Sequence, residues 1–356
     1  MSRKIKIRFE LLRNGAYCAE LRAIRRTPRI RCDSAASRKM LLTARFAPVA
    51  RDADWNPVEI DWLRDEIRPV LIIDGTENPL GVYVPAKPVE QTEGPVKSVS
   101  VSAYDRTQKV FDSNTSALLY WPAGTLWTDA VESLLTASGI DTVFTEPCDA
   151  AFPEPREDWA AATPFLTVVN QLLDEINYNG LWFDGNGAAI LEPAALPESS
   201  AIEHILDTDD PETRVVAGKI SRSRDYYDAA NVFIVICQNP EKGASMRAEA
   251  VNDNPQSPIS TVRRGRQICS VTYVDNIEDQ AALEAMARRL RDESLISGEV
   301  IEIETGLQGG WGVGDVVGLN YHGETSVCIS QSWDMELCVG GKMTHRLKKV
   351  VYALDV

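Results

Sequence analysis

Lys4-Ile5-Lys6-Ile7-Arg8-Phe9 alternates cationic and apolar side chains, and Arg13-Asn14-Gly15-Ala16 follows it. A period of two places Ile5, Ile7 and Phe9 on one face of a strand. Asn-Gly then turns the chain back, because the tightest hairpin turns need positive φ at their central residues. The same grammar recurs downstream. It appears in Arg29-Ile30-Arg31-Cys32, in Met40 to Phe46, and in Arg68-Pro69-Val70-Leu71-Ile72-Ile73 before the turn Asp74-Gly75. Leu80 to Pro85 and Ser98 to Tyr104 continue it. Short strands broken at regular spacing by Gly, Pro and Asp predict an antiparallel barrel or sandwich over residues 1–105.

The period then lengthens. Trp127, Val131, Leu134 and Leu135 recur at helical spacing, which predicts a helix from Thr125 to Ser138 stopped by Gly139. A second helix is predicted from Pro164 to Tyr178, with Thr163 as N-cap and Pro164 at the first helical position. Leu181 to Leu191 reads as a hairpin on the turn Asp184-Gly185-Asn186-Gly187. Residues 106–200 thus form a small α/β unit. Within it, the Pro-rich acidic stretch 147–163 reads as an exposed loop, and 192–214 as a connection.

Strands return in the last third. Asn231 to Cys237 is an apolar run suited to a buried strand, and Met246–Val251 and Ile268–Tyr273 are strand-like. A helix is expected at 277–297, opened by a capping box of Asn276 and Asp279. Strands at Glu299–Thr305, Val313–Tyr321, Ser326–Glu336 and Lys342–Tyr352 then complete a second barrel, drawn from 201–236 and 298–356 and interrupted by an inserted α/β segment at 237–297. The expected class is α+β, mainly β.

At 356 residues, 44% hydrophobic and 25% charged, the chain can bury its own cores without metal or disulfide staples. No apolar run approaches the roughly 20 residues of a membrane span, and the charged start is not a signal peptide. A soluble protein folded in a cytoplasm is expected. Seven cysteines without a CxxC pair argue against a disulfide framework or zinc module. The net charge of -15 hides a split. Residues 1–50 hold 13 Lys/Arg against 3 Asp/Glu, and the acids dominate everywhere else. Arg22, Arg25, Arg26, Arg29, Arg31, Arg38 and Lys39 lack the interleaved aromatics that single-strand binding favours, so a protein-facing surface is expected rather than a nucleic-acid one.

Nothing in the pattern assembles a catalytic centre. The three histidines, His204, His322 and His345, lie far apart with no nucleophile beside them in sequence. Acid groups at Asp61/Asp65/Glu66, at Glu154/Glu157/Asp158 and at Asp207/Asp209/Asp210/Glu212 read as solvated loops. A glycosidase on a carboxylate pair stays open as an alternative, because sequence spacing does not give spatial separation. Asp184 to Gly187 lacks the Glu that a calcium loop carries at position twelve, where Ala195 stands. Gly309 to Gly314 is followed by a strand, not the helix that a phosphate loop needs. Trp55, Trp62, Trp121 and Trp159 are candidate sugar platforms or packing residues. No catalytic, cofactor-binding or metal-ligating residue is assigned, and no cofactor is expected.

One set of residues is familiar in combination. Glu66-Ile67-Arg68-Pro69-Val70-Leu71-Ile72-Ile73-Asp74-Gly75 is continued by Pro79 to Pro85. Val99 to Arg106, the helix end Leu173 to Tyr178, and Trp182 to Gly187 then follow in order. Together they resemble the tail hub proteins of bacteriophages, the family that includes the base of the contractile-tail spike and has relatives in prophages and phage-tail-like bacteriocins. The resemblance covers most of the chain. It implies a homotrimeric ring in which each chain supplies two tube-like β-barrels, at 1–105 and at 201–236 with 298–356. Implied partners are further copies of the chain, a tail tube or distal tail protein, and a spike or fibre protein. Neither sequence-specific nucleic-acid binding nor a membrane span is implied, and the implied location is the virion tail tip after synthesis in a bacterial cytoplasm. With Val356 directly after the last predicted strand, the cell-wall hydrolase that some hubs carry is not expected in this sequence. A tail-associated hydrolase and a carbohydrate-binding β module are the rival readings.

Overall fold

In a computed structural model of the chain, β1 (Ile5–Arg13) and β2 (Ala16–Leu21) form a hairpin around Asn14 and Gly15, which take φ of 52° and 77°. The structure describes residues 3–24, 26–194, 201–210, 215–224, 226, 229–237, 246–274, 280–321 and 323–351. The expected capping box at Asn276 and Asp279 lies outside them, as do Arg25 and His322. The chain is mainly β and divides into two units.

The first unit comprises residues 1–193, 305–313 and 332–344. Its strands are β1, β2, β3 (Arg29–Asp33), β4 (Met40–Phe46), β5 (Val49–Arg51), β6 (Pro57–Glu59), β7 (Glu66–Ile73), β8 (Thr76–Pro79), β9 (Tyr83–Glu93) and β10 (Val96–Asp105). They pair in the order β3-β4-β10-β9-β7-β1-β2-β5-β6, with β8 hairpinned on β7. Pairing of β1 with β7 runs antiparallel from Ile5↔Ile73 to Leu12↔Glu66. Phe9, Leu11, Ile67, Leu71 and Phe46 are buried, and Ile5 and Ile7 on the same face of β1 are half-buried; toward the end of β1 the alternation gives way, with Glu10 and Leu12 buried as well.

Helices α1 (Thr107–Asp112), α2 (Trp127–Ala137) and α3 (Phe165–Glu175) pack with a short sheet. That sheet has β11 (Val143–Thr145) parallel to β13 (Ala189–Leu191), which is antiparallel to β12 (Trp182–Phe183). Val131, Leu134 and Leu135 share one buried cluster with Val168, Leu172 and Leu173. Thr163 does not cap α3; Pro164 occupies the N-cap and the Thr163 hydroxyl donates to Ala160 O. The stretch 147–163 is also not simply exposed. It buries Phe152 and Trp159, and Trp121 exchanges backbone bonds with Arg156. Aromatic burial outweighs the turn-forming prolines there, because a large ring gains more by leaving water than the loop loses by being ordered.

Sheet and helices of this unit are joined by charge and by glycine. Glu66, 3% exposed, accepts from Arg106 Nε and Nη2 at 2.9 Å each and from Lys109 Nζ at 2.9 Å. Arg106 Nη1 also donates to Gly187 O at 2.8 Å. The Asp184–Gly187 turn thereby sits on the loop after β8, where Gly81 N donates to Gly185 O at 2.9 Å. A Cβ on Gly185 would lie 2.5 Å from Pro79 O, and one on Gly187 would lie 2.7 Å from Val82.

The second unit comprises residues 194–304, 314–331 and 345–356. It contains β14 (His204–Asp207), β15 (Val215–Arg224), β16 (Val232–Cys237), β17 (Met246–Val251), α4 (Thr261–Arg264), β18 (Cys269–Val274), α5 (Gln280–Leu295) and the unit's portions of β19 (Ile296–Gly306), β20 (Val316–Tyr321), β21 (Glu324–Glu336) and β22 (Lys342–Val350). The larger sheet runs β15-β19-β22-β21-β20-β14, with β14 parallel to β20. The apolar run of β16 pairs instead with β17 and β18 in a separate sheet. One face of that sheet packs Val235, Cys237, Ala248 and Ala250 against Leu283 and Ala287 of α5.

Two outcomes follow. Gly187→Ala, which adds a Cβ at φ +83° against Val82, is expected to cost about 1–3 kcal/mol in denaturant unfolding. Glu66→Ala leaves Arg106 half-buried without its carboxylate and is expected to cost about 3–5 kcal/mol. Burial raises the Glu66 pKa, but Arg106 and Lys109 more than offset it and hold it below the usual range. Its contribution is therefore present above the ordinary Glu value and lost as pH falls through the lowered one, so the gap between variant and wild type should close in acid.

Candidate functional site

Two neighbouring loops of the first unit hold apolar side chains out in water on rigid backbones. The β5–β6 turn presents Trp55, 78% exposed at φ 64°, a left-handed conformation unfavourable for a bulky residue. Asp52 builds the turn. Its carboxylate accepts from Asp54 N (2.9 Å), Asn56 N (2.8 Å) and Asn56 Nδ2 (3.0 Å), while Trp55 N donates to Asp52 O (3.1 Å). Arg51 Nη1 then ties down Trp55 O at 3.1 Å.

The next loop presents Leu63, 93% exposed. Asp61 accepts from Leu63 N at 3.1 Å, and Asp65 accepts from Asp61 N at 2.9 Å. Asp65 is itself buried and gripped by Arg13 through Nε (2.8 Å) and Nη2 (2.7 Å). Arg13 Nη2 also donates to Glu59 O. A turn whose backbone is already ordered loses little further backbone entropy when its exposed apolar side chain is covered. Pro57 on β6, the last strand of this edge, blocks simple strand addition, so the side chains and not the backbone are what this edge offers.

The acids noted in sequence are largely structural. Asp65 and Glu66 are clamped by arginine, and Asp158 pairs with Arg156, which also holds Glu175 at 2.7 Å. Asp207 accepts from Asp209 N and Asn320 Nδ2, while Glu212 lies outside the described residues. Asp184 accepts from Asn186 N and Ala188 N, which makes it a turn builder. Beside it, a depression of about 260 Å³ is lined in part by Arg106, whose guanidinium is already used on Glu66 and Gly187. Among the described residues, no group of three or more His, Cys, Asp and Glu could hold a metal ion.

Much of the basic start is spent internally. Arg31 and Arg29 on β3 stand opposite Asp334 and Glu336 of β21 in register and pair with them. Arg38 lies over the Tyr104 ring at 3.9 Å and donates to Gln108. Lys39 Nζ donates to Ser34 O. Arg22 and Arg26 remain exposed. Of the four tryptophans proposed as platforms, only Trp55 is exposed. Trp121 and Trp159 stack edge-to-face at 5.6 Å, and Trp62 is half-buried. Gly309 closes against Asn78, and Gly312 O accepts from Trp333 Nε1, so the glycine-dense turn is packed.

No family model matches this sequence, and no curated protein matches it. Solved structures do. A tail protein from Neisseria meningitidis MC58 has a TM-score of 0.66 at 14% identity, over 96% of each chain. The 43 kDa tail protein of prophage MuSo2 from Shewanella oneidensis also gives 0.66, at 12% identity over 97% of this chain and 98% of that one. An E. coli component of the type VI secretion system, described as similar to T4 bacteriophage tail proteins, gives 0.54 at 12% identity over 98% of this chain and 78% of that one. This chain has the fold of phage and prophage tail proteins along nearly its whole length.

The histidines give the second unit a pH dependence. His204 Nε2 lies 2.9 Å from Asp315 Oδ2, and His345 is fully buried. Burial, with His204 adding to it, holds the His345 pKa down at about 3. Between the ordinary value and about 3, the unfolded chain binds a proton that the folded one does not. Stability is thus fully present above about pH 6.5 and should fall by up to about 1.4 kcal/mol per pH unit as acid is added. Denaturant midpoints from pH 7 to 4 check this, and a His345→Phe variant should flatten the slope.

Proposed function

We propose that this protein is a structural component of a phage tail or phage-tail-like particle, acting at the tail tip as a hub and not as an enzyme. The observation that carries this reading is the shared fold, which extends over 96–97% of this chain in the two tail proteins above, with almost no sequence kept. A likeness along the whole length fits a role that depends on architecture.

In this reading three copies form a ring that joins the tail tube to the spike or fibres and lets DNA pass. Each chain supplies two tube-like barrels, one built mainly on residues 1–105 and one on the sheet β15-β19-β22-β21-β20-β14, with α/β material at 106–200 and in the separate sheet of β16, β17 and β18 with α5. The hydrogen bonding of the first unit supports the first barrel. Beyond β2, Ala47 N donates to Arg22 O (2.9 Å) and Ile24 N to Arg45 O (2.8 Å), so the order β4-β10-β9-β7-β1-β2 returns toward its own start. In this reading, closing the barrel would remove strand edges that otherwise invite aggregation. An excess of acid outside residues 1–50 suits a lumen that DNA phosphates pass without sticking.

Solution mass combined with negative-stain imaging tests it. The expected result is a species of three times the chain mass with a central hole. A strict monomer at high concentration, with no ring on the grid, would overturn the hub.

A further inference from the structure

The short sheet of the first unit ends on an open edge. Its strand order is β11-β13-β12, so β11 has a neighbour on one side only. The parallel register runs from Val143↔Ala189 to Thr145↔Leu191, with Ala189 N donating to Thr142 O and Glu146 N to Leu191 O. This register turns the main chain of Thr142, Phe144 and Glu146 toward β13. The N–H and C=O groups of Val143 and Thr145 therefore point the other way, and they make no hydrogen bond among the described residues. The two side chains are held from behind. Val143 packs on the helical cluster, and the Thr145 hydroxyl donates to Glu132 Oε1 at 2.6 Å. Phe144, on the opposite face, is 59% exposed. Edges that avoid partners carry a lysine or a proline at such a place, and this one carries an apolar ring.

Charge selects what can join this edge. Residues 106–193 hold 13 Asp/Glu against 3 Lys/Arg. All three cations are spent, Arg106 and Lys109 on Glu66, and Arg156 on Glu175 and Asp158. None of the three is exposed. Asp141 and Glu146, at the two ends of β11, and Asp149 beyond them are exposed and unpaired among the described residues. Arg106 also borders the depression beside Phe144, but its charge is already answered by Glu66. Lys39, from outside this stretch, comes near Gly180, which precedes β12 on the opposite edge of the sheet. We propose that the β11 edge takes a fourth strand from a neighbouring protein, an extended segment that sets an apolar residue against Phe144 and lysine or arginine on either side of it. Main-chain bonds to Val143 and Thr145 hold the strand, and the acids choose a basic segment over a neutral or acidic one. The alternating basic stretch of this chain itself, Lys4 to Phe9, is already committed to β1 and pairs with β7, so the strand comes from another protein. The inference goes beyond the hub reading and does not depend on it.

The test uses the full chain and two synthetic peptides, acetyl-Lys-Val-Lys-Val-Lys-amide and its counterpart acetyl-Glu-Val-Glu-Val-Glu-amide. Hydrogen exchange is read by mass spectrometry with residue-resolving fragmentation. Excess lysine peptide should slow exchange about tenfold at the Val143 and Thr145 amides and leave Phe144, whose N–H already serves β13, unchanged. The glutamate peptide should leave all three as they are. Phe144→Ser should weaken binding of a fluorescent lysine peptide about tenfold, with an unchanged circular dichroism spectrum. Asp141→Lys with Glu146→Lys should transfer binding to the glutamate peptide. The proposal is overturned if the lysine peptide does not bind, if both peptides bind the wild-type chain equally, or if binding leaves Val143 and Thr145 unprotected. Protection of these two amides that grows with chain concentration in the absence of peptide would put a second copy at the edge, and the basic partner would be wrong. None of these readings depends on whether the chain forms a ring.

Discussion

The carboxylate of Glu66 is the point on which the first unit turns. It begins β7, the strand that pairs with β1, and it holds Arg106 and Lys109 at the start of the helical region. Arg106 reaches on to Gly187, so one buried anion ties a sheet strand, a helix start and a distant hairpin turn. Two arginine bonds and one lysine bond satisfy it; with fewer, the desolvation of a charge this buried would outweigh the attraction. The glycines complete the constraint. The hairpin turn comes within backbone hydrogen-bond distance of the loop at Gly81 only because Gly185 and Gly187 have no side chains.

The same economy runs through the rest of the unit. Acids that look like free catalytic groups are builders: Asp52 makes a turn, Asp65 fastens a loop to Arg13, and Asp184 shapes the hairpin. Basic residues near the start are drawn onto acidic ones near the end, because β3 and β21 lie in register across roughly three hundred residues. Among the apolar side chains left exposed, Trp55 and Leu63 stand on backbones that Asp52, Asp61 and Asp65 hold in place.

Much of this was legible in the chain. Asn14-Gly15 and Asp74-Gly75 marked their turns through positive φ, and all four residues adopt it. The helical stripes of Trp127–Ala137 and Phe165–Glu175 were found to within a few residues. The resemblance to tail hubs rested on segments that meet in space, since Glu66, the Gly81 loop, Arg106 and Gly187 form one junction. The short strands β5, β6 and β11 were missed, since three residues carry no period. The burial of Trp121 and Trp159 inside a proline-rich loop was missed too, because a ring finds its partner by contact and not by spacing.

The sequence by itself determined the β-rich class and the places of most turns and helices. These are local properties, set by period, by φ preference and by which residue types are present. Only the tertiary structure decided which charges are spent and which are free. Arg29 and Arg22 are alike on paper, yet one faces Glu336 and the other faces solvent. Trp55 and Trp159 are alike too, yet one is held out on a strained turn and the other is buried. Partnering depends on approach between residues distant in sequence, and no local pattern encodes that distance.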